Sequence, residues 1–163
     1  MDTKANYKKE ALKRLGNSKP LLNAMLGEWI GCGISREVFE CPYDERLVIK
    51  VAIDTPNANV LEWEMWDIVQ YSDQSKWFAP CEFISDDGLI LVQKRTTPLE
   101  DTKGLRIPTY FTDVKDSNFG TIDGEVVCHD YASSLVRFML FGMPNRLVDY
   151  NRAYKRCDGV RES

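Results

Sequence analysis

The chain has 163 residues, 44% of them apolar and 28% charged, with a net charge of −4. That length suits one domain or two small lobes sharing a core, and the mixture is that of an ordinary soluble globular protein. The mild acidity disfavours nucleic acid as the main partner, and no stretch approaches the ~18 consecutive apolar residues of a membrane span.

Five scattered cysteines (Cys32, Cys41, Cys81, Cys128, Cys157) form no C-x-x-C pair. They suit reduced thiols in a cytosol better than a disulfide framework or a zinc site. The opening segment "MDTKANYKKEALKRLG" lacks the apolar run of a signal peptide, so the expected location is cytoplasmic.

In chain order, residues 5 to 15 read as a helix, with Tyr7, Ala11, Leu12 and Leu15 near one face and Lys4, Lys8, Lys9, Lys13 and Arg14 around them. A packed helix with a wet basic side is expected, although that side could also meet phosphate or an acidic partner. From Gly27 to Ile53 three short β-prone runs are separated by "GCG" and "CPYDE". "TPNANVLEWEMWDIVQY" carries helix-start residues followed by helical apolar spacing, and "CEFISDDGLILVQKR" reads as a hairpin about "DDG". After Lys94 the pattern loosens. A loop, a turn and another strand pair then occupy Thr112 to Ala132, and two helices are expected near Ser133–Phe141 and Asn145–Arg156.

Three local features invite chemistry, and each also has a plain structural explanation. Gly31 and Gly33 in "IGCGISREV" let a backbone fold tightly and approach a phosphate, but a lone G-x-G is equally a tight turn. Lys50 in "RLVIKVAI" shares a strand face with Val48, opposite Leu47, Ile49 and Val51. It needs either an anion or a wet edge, where lysine guards against aggregation. Glu62 has Met65, Trp66 and Val69 at helical offsets, so it falls on the buried side and requires a cation, unless its head reaches water. Lys50 is the nearest candidate upstream.

Read together with "TDVKDSN" and "VVCHDYA", these features resemble the protein-kinase-like fold. "IGCGISREVF" is similar to the glycine-rich loop, with Gly31, Gly33 and Val38 in register. The resemblance implies that Lys50 contacts nucleotide phosphates and that Glu62 pairs with it. It also implies that Asp113 is the catalytic acid–base, that Lys115 neutralises the transferred phosphoryl group, and that Asn118 and Asp130 hold magnesium. Arg36 stands where the third loop glycine belongs, and Phe111 and Thr112 stand before the catalytic aspartate. D-F-G has become Asp130-Tyr131-Ala132.

The expected fold is therefore α+β and kinase-like. Residues 1–94 would form a first lobe, a five-stranded antiparallel sheet with one helix, and residues 95–163 a strongly reduced, mostly helical second lobe. The expected function is ATP and magnesium binding with possible phosphate transfer. The alternative is a pseudokinase-like module that grips another protein, as a phage factor acting on a host protein would; an unrelated α+β domain with coincidental acids is the third reading. A single histidine, His129, excludes multi-histidine metal sites. A Cys128–His129 dyad is disfavoured because adjacent strand residues point to opposite faces.

Overall fold

The computed structural model describes residues 3–14, 24–142, 144 and 146–157. The chain divides into two compact units, the first comprising Met1–Trp63 and Pro80–Arg95, the second Glu64–Ala79 and Thr96–Ser163. The fold class is α+β.

Unit 1 is built on strands β1 (Trp29–Cys32), β2 (Arg36–Glu40), β3 (Leu47–Ala52), β4 (Cys81–Ile84) and β5 (Ile90–Lys94), with helix α1 (Thr3–Arg14) before them. Helix α2 (Asn57–Val69) starts between β3 and β4. The five strands form an antiparallel sheet in the order β1-β2-β3-β5-β4, so the three strands, helix and two strands read from the sequence are all present. β3, "LVIKVA", is the centre of the sheet and is buried from Val48 onward. Its β-branched residues suit a pleated surface covered on both sides. Lys50 therefore lies in a central strand, and the edge-guard explanation of it falls.

Alternation sorts the two faces of the sheet. Phe39, Ile49, Val51 and Ile90 pack with Ala11 of α1 and with Leu26. Burying each large aliphatic side chain of this set contributes about 1.5–3 kcal/mol. α1 lies on this face, where Tyr7 stacks on Trp29 at 4.8 Å and Lys8 Nζ donates to the Leu26 carbonyl. Lys9 and Lys13 remain exposed, so the helix packs one side and wets the other. Leu15 lies outside the described residues.

The opposite face receives α2. Asn59 is buried, and its Nδ2 donates to the carbonyls of Gly88 and Leu89 at 3.0 and 3.1 Å. Glu62, one helical turn later, occupies the same side of α2. Asn59 thus docks the helix that delivers Glu62.

Unit 2 holds β6 (Thr97–Pro98), β7 (Arg106–Pro108), β8 (Phe119–Ile122), β9 (Glu125–Cys128), α3 (Ser134–Phe141), β10 (Leu147–Asp149) and α4 (Tyr150–Cys157). The strands form two small antiparallel sheets, β6-β8-β9 and β10-β7. The β8–β9 hairpin turns through Asp123 and Gly124 at φ 53° and 82°, the two positive dihedrals of a type I′ turn. A Cβ on Gly120 would stand 2.5 Å from the Thr97 carbonyl oxygen, so only glycine lets β6 cross there.

Two expectations about this half need correction. Among its described residues it is not mostly helical, since five short strands stand beside the helices. The last helix begins at Tyr150, because Leu147–Asp149 pairs with Arg106–Pro108 as a strand instead of extending the helix toward Asn145, itself outside the described residues.

The core of unit 2 is aromatic. Phe78 stacks on Tyr110 at 5.7 Å and meets Tyr131 edge-on at 4.9 Å, while Phe111 meets Phe119 at 5.3 Å and Phe119 meets Tyr150 at 5.5 Å. Such pairs add about 0.5–1.5 kcal/mol each beyond area burial. Cys81 and Cys128 are buried, Cys41 is half-buried and Cys32 is exposed; none of these four forms a disulfide. Among the described residues no helix is long and apolar enough to cross a membrane.

Candidate functional site

Within unit 1, strand register gathers the residues of the glycine-rich segment and the lysine. Gly31 pairs with Val38, and Val38 pairs with Lys50, so the three form one row across β1, β2 and β3. Gly33 closes the β1–β2 turn, its N–H donating to the Arg36 carbonyl at 2.9 Å. Neither Gly31 nor Gly33 has positive φ, and a Cβ built on either would meet nothing within 4 Å. The fold itself does not require glycine at these two positions. Their small size leaves room above the row.

Glu62 is fully buried, and Lys50, only 4% exposed, reaches it. Lys50 Nζ stands 2.5 Å from Glu62 Oε1. Burial pushes the Glu62 carboxyl up, but the charges of Arg36 and Lys50 and their hydrogen bonds outweigh it and hold the group at about 2, against an ordinary 4.5. The carboxylate is therefore ionised in the interior, as two flanking cations demand.

Three partners of this site were not legible as such in the sequence. Arg36 is buried and approaches Glu62 with Nη1 to Oε1 at 3.0 Å and Nη2 to Oε2 at 3.1 Å. Gln93 Nε2 donates to Glu62 Oε1 at 3.3 Å, and Asn59 docks the helix. Register supplies a signal for Arg36 after the fact. It lies two residues before Val38 on β2 and so shares the face of Lys50. Its neighbour Glu37 is also buried, which hides that alternation.

Within unit 2, the segment from Asp113 to Asn118 folds on itself. Asn118 Nδ2 donates to both the Asp113 carbonyl and Asp113 Oδ2, at 2.9 and 2.8 Å. Lys115 Nζ stands 2.9 Å from the same Oδ2, and this hydrogen bond raises the Lys115 ammonium above its ordinary range, with burial opposing and the charges of Asp113 and Asp130 assisting. Lys115 and Asp113 are both nearly half exposed, so their pair orders the loop without contributing much stability. Among the described residues no hydrogen bond or ion pair reaches Asp113 Oδ1. One oxygen is thus held by two donors, in a side chain that is 45% exposed.

The β8–β9 hairpin brings the two expected metal ligands to one end. Phe119 pairs with Cys128, and the His129 N–H donates to the Asn118 carbonyl at 2.8 Å, so Asp130 follows one residue past Asn118's partner. His129 Nε2 lies 2.8 Å from the Ser117 carbonyl, which only accepts, so Nε2 carries a proton. Its Nδ1 pairs with Thr96 Oγ1 at 2.8 Å. Both ring nitrogens are engaged in holding the hairpin, and Cys128 Sγ donates to the Asp130 carbonyl at 3.4 Å. His129 is a strut of the loop.

Among the described residues no group of three His, Cys, Asp or Glu side chains clusters as a metal site. The donor set nevertheless fits magnesium, which takes one or two protein oxygens and completes its shell with phosphate and water. Asn118 spends its amide N–H groups on Asp113, leaving Oδ1, a hard oxygen, for a cation. Asp130 offers a carboxylate at the same end of the hairpin. Against the loop, Thr109, Phe111, Thr112, Val114 and Arg137 line an open cavity of about 190 Å³. Thr112 and Val114 flank Asp113 directly.

Compared with protein-family models and with curated proteins, the chain matches none.

Proposed function

We propose that the protein is a kinase-like module that binds a magnesium–nucleoside triphosphate and transfers its terminal phosphoryl group. The observation that carries this reading is the buried Lys50–Glu62 pair in register with Gly31 and Val38. A central-strand ammonium fixed by an interior carboxylate, beside glycines that the fold does not need, is suited to holding phosphate. The nucleotide supplies the transferable phosphoryl group and magnesium the compensation of its charge. Lys50 binds the phosphates in an orientation set by Glu62. Asn118 and Asp130 hold the metal. Asp113, anchored at Oδ2, orients and accepts the proton of the attacking hydroxyl at Oδ1, while Lys115 balances charge nearby. Such a site works by positioning and electrostatics, which is what this transfer requires of a protein. The cavity beside Thr112 and Val114 offers room for a small acceptor.

Magnesium-ATP is expected to raise the melting temperature of the full chain by a native-state ligand term, about 2.7 kcal/mol at a hundred times Kd. Asp130→Ala should lose the magnesium-dependent part of that shift. A wild type that does not respond to magnesium-ATP, or a variant that responds equally, would count against the site.

A second reading is favoured by one surface. On α3, Val136, Met139, Leu140 and Phe141 are 60 to 74% exposed. A contiguous apolar stripe of this kind suits a protein partner, as a catalytically silent binding module would use.

A further inference from the structure

Arg36 occupies the position at which the glycine-rich pattern has its third glycine, yet it is among the most buried charged residues of the chain, 5% exposed. Its backbone closes the glycine turn, accepting from the Gly33 N–H at 2.9 Å, and the carbonyl of its neighbour Ser35 accepts from the Ile53 N–H at 2.9 Å. Its side chain runs beneath the sheet to α2 and meets Glu62 with both terminal nitrogens, at 3.0 and 3.1 Å. One residue therefore connects the turn closed by Gly33, next to the Gly31 end of β1, to the carboxylate that orients Lys50.

We propose that Arg36 is a positioning residue of the nucleotide site, a tether that fixes the glycine turn to α2 through Glu62 and sets the Lys50–Glu62 pair before any ligand arrives. The functional half of this inference rests on the nucleotide reading above. The guanidinium donates from Nη2 to Oε2 and holds Nη1 in ion-pair contact with Oε1, so its planar fork addresses both carboxylate oxygens and biases the plane of Glu62 as well as its position. With Arg36 bonded to Oε2 and close to Oε1, Lys50 and Gln93 approach a carboxylate whose orientation is already set at its far oxygen. A third glycine would leave the turn hinged and Glu62 with Lys50 as its one charged partner among the described residues, beside the neutral amide of Gln93. The arginine trades the flexible cover of the loop for a preorganised one, and a preorganised site spares the ligand the cost of ordering it.

The test uses the full chain without nucleotide. Arg36→Lys keeps the charge but cannot make the fork, so the variant should fold. Amide hydrogen exchange should then accelerate at Gly33 and Ile53, whose bonds close the turn, while Leu91 and Val92 in the β3–β5 ladder exchange as in the wild type. Arg36→Gln should show the same local acceleration, with added global loss. A purely structural arginine would leave the local and global rates moving together, and unchanged exchange at Gly33 in Arg36→Lys overturns the tether whether or not nucleotide binds. Calorimetry with magnesium-ATP completes the test. Arg36→Lys should weaken binding about tenfold, the worth of a charge-assisted hydrogen bond, and equal affinity overturns the positioning role. A wild type that binds no magnesium-ATP overturns the nucleotide reading instead, and with it the function assigned to the tether.

Discussion

Glu62→Gln is expected to lower the unfolding free energy by about 3–5 kcal/mol, the loss seen when one partner of a buried ion pair is removed. The amide keeps the shape of the side chain but leaves Arg36 and Lys50 inside the protein without their anion. Urea denaturation followed by far-ultraviolet circular dichroism measures it. A loss below about 1 kcal/mol would mean that both cations reach water once released, as exposed pairs do. Acid titrates the same interaction. The folded carboxyl sits at about 2 against an ordinary 4.5, so its contribution is complete above pH 4.5 and drains away as pH falls toward 2. The wild type should lose stability over that window more steeply than Glu62→Gln, which has no such group to protonate.

Asp113→Asn is expected to reduce phosphate transfer by about 10²–10⁴-fold, the usual worth of a positioned general base. The substitution preserves an acceptor for Asn118 Nδ2 and disturbs little of the loop, because Asp113 lies at the surface and Lys115 can turn to water. Magnesium-ATP should therefore still raise the melting temperature of the variant. The pair of measurements separates chemistry from binding. Transfer that persists at the wild-type rate removes Asp113 from the reaction, and loss of the thermal shift would make it a binding residue.

Much of unit 1 was legible because its signals are local. Alternation over "LVIKVA", the "DDG" hairpin and the helical spacing around Glu62 each specify an element within a few residues. The Lys50–Glu62 contact was legible because a carboxylate on an apolar helix face must find a cation, and Lys50 is the nearest one upstream. Arg36 escaped for the opposite reason. It stands where the third loop glycine belongs and precedes the charged Glu37, so nothing local marks it as buried, and its burial depends on Glu62 of α2 arriving 26 residues later. Gln93 was hidden in the same way at the end of an apolar run. In "LVDYNRAYKRC" the apolar residues Leu147, Tyr150 and Tyr154 fit one helical face, and only the distant partner Arg106–Pro108 draws the first three residues into a strand. Short segments are decided by who pairs with them.

The edge-on contact of Phe111 with Phe119 has a bearing on how freely this chain can vary. Those two rings stand immediately outside the segment 112–118 and fasten its ends like the two halves of a buckle, 5.3 Å apart. The span they close is short, so the acids between them inherit their spacing from hydrocarbon packing as well as from their own polar bonds. Drift at either ring would reach the loop as surely as a change of the acids themselves. Selection acting on Asp113 and Asn118 must therefore also restrain the two rings that close the segment between them.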